Sequence, residues 1–349
     1  MPSGDFNKGM EAFIKKDYTT ALKEFRPLAK QGHASAQFSL GWMYNNGEGV
    51  PQNHKTAIKW YTLSAEQRSA PAQFSLGQMY RKGEGVPQND KTAVKWYTLA
   101  AEQESVRAQF SLGQMYYNGQ GVPQNDKTAV KWYKLAAEQG NARAQFSLGQ
   151  MYNNGEGVSQ NHKTAVKWYK LAAKQGDASA QYNLGWNYRN GQGVSRDYKA
   201  AVKCYELAAK QRSAPAQFSL GQMYRKGEGV AHTYMTAVKW FRLAAKQGHA
   251  PAQFSLGQMY RNGQGLARND KTAVKWYTLA AEQGNAYAQN NLAWNYRNGQ
   301  GVPQDDKTAV RWYTLAAKQG NVRAQFSLGQ MYGKGECVPR NHKTAMKWY

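Results

Sequence analysis

The chain has 349 residues, with 46 Lys and Arg against 22 Asp and Glu, for a formal charge of +24. Hydrophobic residues make up 41%, enough to bury a core, yet no run of 18 apolar residues occurs, so no membrane span is expected. The two cysteines, Cys204 and Cys337, are too few for a disulfide framework, and the opening MPSGDFNKGM lacks a basic-then-apolar leader, so a reducing, cytoplasmic setting is expected. The positive balance predicts attraction to something anionic without naming it.

Taken in chain order, residues 1–33 come first. Asp17-Tyr18, Ala21-Leu22 and Phe25 read as an amphipathic helix ending at Gly32. This stretch is expected to form an N-terminal capping helix pair. From there the string Ala-Gln-Phe-Ser-Leu-Gly begins at Ala36, Ala72, Ala108, Ala144, Ala216, Ala252 and Ala324, with variants at Ala180 and Ala288. The spacing is 36 residues each time, and a fixed period of that size means a stacked array. Residues 67–86 and 211–230 are the same twenty letters, the mark of a duplicated block.

Each unit reads as two helices. Helix A of the first repeat is predicted over about residues 35–45, with Ala36, Leu40, Met43 and Tyr44 inward and Gly41 where two helices come too close for a Cβ. Gly47-Glu48-Gly49-Val50-Pro51 stops it. Helix B starts near Asn53, or more clearly at Asn89-Asp90, both of N-cap type. Its inward face is predicted as Ala93, Trp96, Tyr97, Ala100 and Ala101. Gly32, Gly140, Gly176, Gly248, Gly284 and Gly320 close most B helices, and Arg68, Glu104 and Arg212 stand in that slot elsewhere. Those three ends should lose some stability. The ninth repeat breaks off inside its second helix at Trp348-Tyr349, an open apolar face that predicts fraying, self-association or a longer natural chain.

The lettering AQxxLGxMYxxGxGVxxD followed by KxAxxWYxxAAxQG resembles the Sel-one-like repeat of the tetratricopeptide-like superfamily, over residues 34–349. The resemblance implies an all-α fold, a right-handed α/α solenoid of nine helix-turn-helix repeats behind the capping pair. It also implies an adaptor that assembles other proteins. Many relatives carry two cysteines per repeat, a pattern absent here.

No H-E-x-x-H, C-x-x-C or G-x-x-x-x-G-K-[ST] occurs, so no catalytic site, cofactor or metal is expected, and the chain reads as a non-enzyme. His54, His162 and His342 share one repeat slot, too far apart for one metal. Cys204 replaces a repeat tryptophan and reads as a small buried residue. Cys337 replaces the second loop glycine and should be exposed.

In tetratricopeptide-like stacks helix A lines the concave groove. Removing its core set leaves a stripe at i, i+4 and i+7. The first slot holds Phe74, Phe110, Phe218 and Phe254; the second holds Gln78, Gln114, Gln222 and Gln258, with Trp186 and Trp294. The third holds Arg81, Tyr117, Arg189, Arg225, Arg261 and Arg297. Amides can bond an extended backbone, rings can hold apolar side chains, and Arg can fork onto carboxylates. An acidic or carboxylate-bearing peptide or protein is the expected partner. Against that reading, the Phe rings could pack on a neighbouring repeat and the Arg row could be a solvated rim. Helix B carries a second feature, lysine pairs at i, i+4 such as Lys55/Lys59, Lys91/Lys95 and Lys271/Lys275. They read as a solubilising back or as an electrostatic track for nucleic acid or another anionic surface.

Overall fold

The computed structural model describes residues 4–336 and 338–349. Among them every regular element is an α-helix, and the chain divides into two compact units, Met1–Gln175 and Gly176–Tyr349. The first unit holds α1 (Phe6–Ile14), α2 (Tyr18–Lys30), α3 (Ala34–Asn46), α4 (His54–Glu66), α5 (Ala70–Lys82), α6 (Asp90–Glu102), α7 (Val106–Asn118), α8 (Asp126–Glu138), α9 (Ala142–Asn154) and α10 (His162–Lys174). The second holds α11 (Ala178–Asn190), α12 (Tyr198–Lys210), α13 (Ala214–Lys226), α14 (Tyr234–Lys246), α15 (Ala250–Asn262), α16 (Asp270–Glu282), α17 (Ala286–Asn298), α18 (Asp306–Lys318), α19 (Val322–Lys334) and α20 (His342–Trp348). From α3 onward the odd helices are helix A and the even ones helix B. Each unit is an all-α solenoid in which each helix packs on those before and after it in sequence.

The caps follow the predicted residues. Asn53 accepts from the Thr56 N–H at 2.9 Å to start α4, and Gly47 ends α3 at φ 73°. Where helix B closes without glycine, Arg68, Glu104 and Arg212 are forced to φ 63°, 63° and 65°. An L-residue there costs roughly 1–2 kcal/mol. The next residue is weak at the same three places: Ser69, Ser105 and Ser213 make no side-chain cap bond, whereas Asn141 and Asn285 do.

Core packing corrects the predicted inward faces. In repeat two, Ala93, Val94, Tyr97, Ala100 and Ala101 are buried with Ala108, Leu112 and Met115 of the next helix A. Trp96 is only half-buried and lies against the Tyr61, Leu76 and Met79 cluster, because so large a ring spans the seam with the preceding repeat. Tyr44 is half-buried as well. Cys204, in the tryptophan slot, is likewise half-buried and not a core residue. Cys337 lies outside the described residues. The helix A glycine is explained by a ring: a Cβ on Gly113 would sit 2.6 Å from Tyr133 Cδ1. Repeat eight carries Ala293 there, fully buried.

A buried amide relay ties the repeats together. Gln109 Nε2 donates to the Ala101 carbonyl of the preceding helix B at 3.3 Å, and its Oε1 accepts from Gln139 Nε2 at 2.9 Å. Gln253 repeats the pattern in the second unit, donating to Ala245 O and accepting from Gln283. Each glutamine adds a second bond to a helix-end carbonyl that already accepts a backbone N–H, and so links that helix to the next repeat. The Gln of Ala-Gln-Phe-Ser-Leu-Gly is therefore a staple between repeats.

Candidate binding surface

The predicted stripe does lie on helix A, and its three slots differ in what they leave free. In the first slot, the four predicted rings are half-buried, each on an aromatic of its own repeat. Phe74 lies 5.7 Å from Tyr97, Phe110 5.8 Å from Tyr133, Phe218 5.7 Å from Phe241 and Phe254 5.9 Å from Tyr277. One face of each ring is thus committed to the fold. These contacts are within a repeat, and Phe254 adds one to Tyr287 of the next repeat at 6.1 Å. In the second slot Gln78, Gln114, Gln222 and Gln258 are half-buried, Trp294 likewise, and Trp186 is exposed.

The third slot splits in two, and this corrects the reading of a uniform arginine row. Thirty-nine residues beyond each slot lies a loop residue of the next repeat. Where it is glutamate, it takes the slot: Arg189 pairs with Glu228 at 2.8 Å and Arg297 with Glu336 at 2.6 Å. Tyr117 donates to Glu156 at 3.0 Å, and that hydrogen bond raises its pKa above the ordinary value. Where the loop residue is glutamine, as Gln120, Gln264 and Gln300 are, Arg81, Arg225 and Arg261 have no acidic partner among the described residues. Arg225 donates to Gln222 at 2.7 Å instead, and burial pulls its pKa down. Arg261 stacks 4.1 Å over the Trp294 ring.

Under these guanidiniums lie the buried tyrosines of helix B. Burial pushes the Tyr97 hydroxyl up to about 12, against the nearby Arg81 charge that lowers it. The hydroxyls of Tyr97, Tyr205 and Tyr277 are enclosed, beside the side chains of Ser111, Ser219 and Asn291 respectively.

Each unit has an open depression on this face. In the first unit it measures about 840 Å3 and is largely aromatic, with Phe6, Phe13, Phe38, Trp42 and Phe74 among its walls. In the second it measures about 630 Å3 and is lined by Phe254, Gln258, Arg261, Tyr287, Asn290 and Arg323, among others. Sequence reasoning missed Phe6, Phe13, Tyr287, Asn290 and Arg323. The signal for Tyr287 and Asn290 was present: repeat eight reads Tyr-Ala-Gln-Asn-Asn-Leu-Ala where most repeats keep Ala-Gln-Phe-Ser-Leu-Gly.

On helix B the lysine pairs are exposed, and among the described residues none is in an ion pair. Met235 breaks the row as an exposed apolar residue, and half-exposed leucines, Leu63 to Leu315, run beside it. His54 and His162 are occupied by hydrogen bonds to Asn45 and Asn153, while His33 and His249 cap helices. Among the described residues no group of His, Cys, Asp and Glu is arranged to hold a metal ion, and no helix is long and apolar enough to cross a membrane.

The family model for the Sel1 repeat matches nine consecutive blocks: 34–69, 70–105, 106–141, 142–177, 178–213, 214–249, 250–285, 286–321 and 322–349. The chain belongs to the Sel1 repeat family. Among solved structures it is similar to a protective antigen of uropathogenic Escherichia coli strains displaying an SLR fold. That pair shares 36% identity and a TM-score of 0.75, over 95% of this chain and 78% of the other. It is also similar to a Sel1 repeat protein from Oxalobacter formigenes, at 33% identity and TM-score 0.71, over 89% and 90% of the two chains. No curated protein matches the sequence. Sel1 repeat proteins generally act as protein–protein interaction scaffolds, and the fold is typically non-catalytic.

Proposed function

We propose that this Sel1 repeat chain is a scaffold whose helix A face holds an extended segment of another protein, one bearing carboxylates. The observation that carries this reading is the third slot. Arg81, Arg225 and Arg261 stand half-buried on that face without the loop glutamate that neutralises Arg189 and Arg297. A half-buried guanidinium is costly to leave unpaired, and a carboxylate meets it with two parallel hydrogen bonds. The glutamines of the second slot lie one turn away, placed for a peptide backbone. Photo-crosslinking in cells tests the surface. A benzophenone side chain in place of Phe74 or Phe254 should capture a discrete polypeptide; one in place of Lys91 or Lys275 should not. Adducts formed only from the lysine positions would sink the proposal.

A second reading rests on the unpaired lysines of helix B, which suit nucleic acid or another anionic surface. A gel shift with duplex DNA at low and at physiological salt discriminates. No shift at low salt eliminates nucleic acid.

A further inference from the structure

We propose that the depression formed by α15, α17 and α19 takes a single aspartate or glutamate side chain of the partner segment, gripped by Arg261 and Arg323. The proposal rests on the scaffold reading and gives it a place and a chemistry.

Four observations converge on this pocket. Its walls include two guanidiniums and no carboxylate, and neither arginine is ion-paired among the described residues. Arg261 has one face on Trp294, at 4.1 Å, so its N–H groups stay available in the plane of the fork. The loop residue that would claim it is Gln300, whose Oε1 accepts from Arg268 at 3.4 Å instead.

Repeat eight is also cut differently here. Asn290 stands where seven repeats carry phenylalanine, so a small amide replaces a ring and leaves room. Asn290 Nδ2 donates to Asn291 Oδ1 at 3.3 Å, so the two amides form one polar edge. Phe254 and Tyr287 lie 6.1 Å apart and give an apolar surface for the methylenes of the entering side chain. Tyr277 lines the same pocket, its hydroxyl enclosed beside Asn291 and Arg261.

The charge pattern selects the occupant. A pocket with two fixed forks, amides and an aromatic wall suits a planar carboxylate on a short apolar stem. A duplex would engage the lysines of helix B before it entered a depression of about 630 Å3.

The test uses the full chain and two fluorescein-labelled peptides, one of alternating leucine and glutamate and one of alternating leucine and glutamine, read by anisotropy. The glutamate peptide should bind about tenfold tighter, the worth of one charge-assisted fork. Arg261→Gln with Arg323→Gln should erase that preference. Lys271→Gln with Lys275→Gln removes the same charge from helix B of the same unit and should leave the preference intact. Arg261→Lys keeps the charge without the fork and should fall between. Circular dichroism melts confirm that each variant is folded. Equal losses in both double variants would show diffuse charge attraction and overturn the pocket, as would an absent preference in the parent chain. Displacement of the glutamate peptide by inorganic phosphate, beyond the effect of chloride at equal ionic strength, would also overturn it. If the preference is absent while photo-crosslinks still form at Phe254, the pocket fails and the scaffold stands. Crosslinks confined to helix B remove both.

Discussion

Arg189 and Arg261 occupy the same register of the repeat, two repeats apart in the second unit, and they meet different fates. Arg189 reaches Glu228 of the following loop, with two bonds of 2.8 Å. Arg261 finds glutamine at the equivalent position and lies on a tryptophan. The helix and the register are the same; one loop carboxylate decides whether the guanidinium is held within the fold. A repeat array can therefore write a binding site by removing an internal partner as readily as by adding a new side chain.

The largest effect is expected from breaking the platform that carries Arg261. Gln253→Leu removes two hydrogen bonds at a buried position, one to Ala245 O and one from Gln283 Nε2. A loss of about 1–3 kcal/mol is expected. It should appear as a lower denaturant midpoint, with glutamate-peptide binding lost alongside the structure. An unchanged midpoint would show that the relay is incidental. Next comes Gln300→Glu, which gives Arg261 the acid that Arg189 already has. Affinity for the glutamate peptide should drop by up to about tenfold, with little change in melting. Undiminished affinity would mean that Arg261 is not the reader.

Much of the fold could be read from the letters because each element is written nine times. Asn53 and Asn89 announce helix starts, Gly47 announces an end, and the nine Ala-Gln pairs fix the register. What could not be read lies between repeats. Trp96 has the spacing of a core residue, and only the stacking shows that it fills a seam. The arginine row looked uniform because its partners lie on another repeat, 39 residues away, at a position that alternates between Glu and Gln. The pocket was hidden by the same uniformity. A search for what recurs passes over Asn290 and Tyr287, which matter because they do not.

A smaller effect, of opposite sign, is expected where the connection between repeats is strained. Arg212 sits at φ 65° next to Ser213, which makes no cap bond. Arg212→Gly with Ser213→Asn recreates the Gly-Asn pair seen at residues 140–141 and 284–285. The gain should be about 1–2 kcal/mol, read as a raised melting temperature of the full chain. Because the change lies at the close of repeat five, outside the walls of the pocket, peptide affinity should not move, which separates general stiffening from site chemistry.

The smallest expected effect comes from turning repeat five toward the chemistry of repeat seven. Glu228→Gln releases Arg189, whose pair is one-fifth accessible on each side. Partly solvated pairs of this kind contribute roughly 0–1 kcal/mol, so the melt should barely shift. The guanidinium would then stand unpaired beside the exposed Trp186. Repeat six keeps Phe218 where repeat eight has the smaller Asn290, so no second deep pocket opens. A gain in glutamate-peptide affinity of about twofold is expected by anisotropy. A gain as large as the loss from Gln300→Glu would mean that a free arginine alone makes the site. A small gain would mean that the cut-back ring at Asn290 is needed as well.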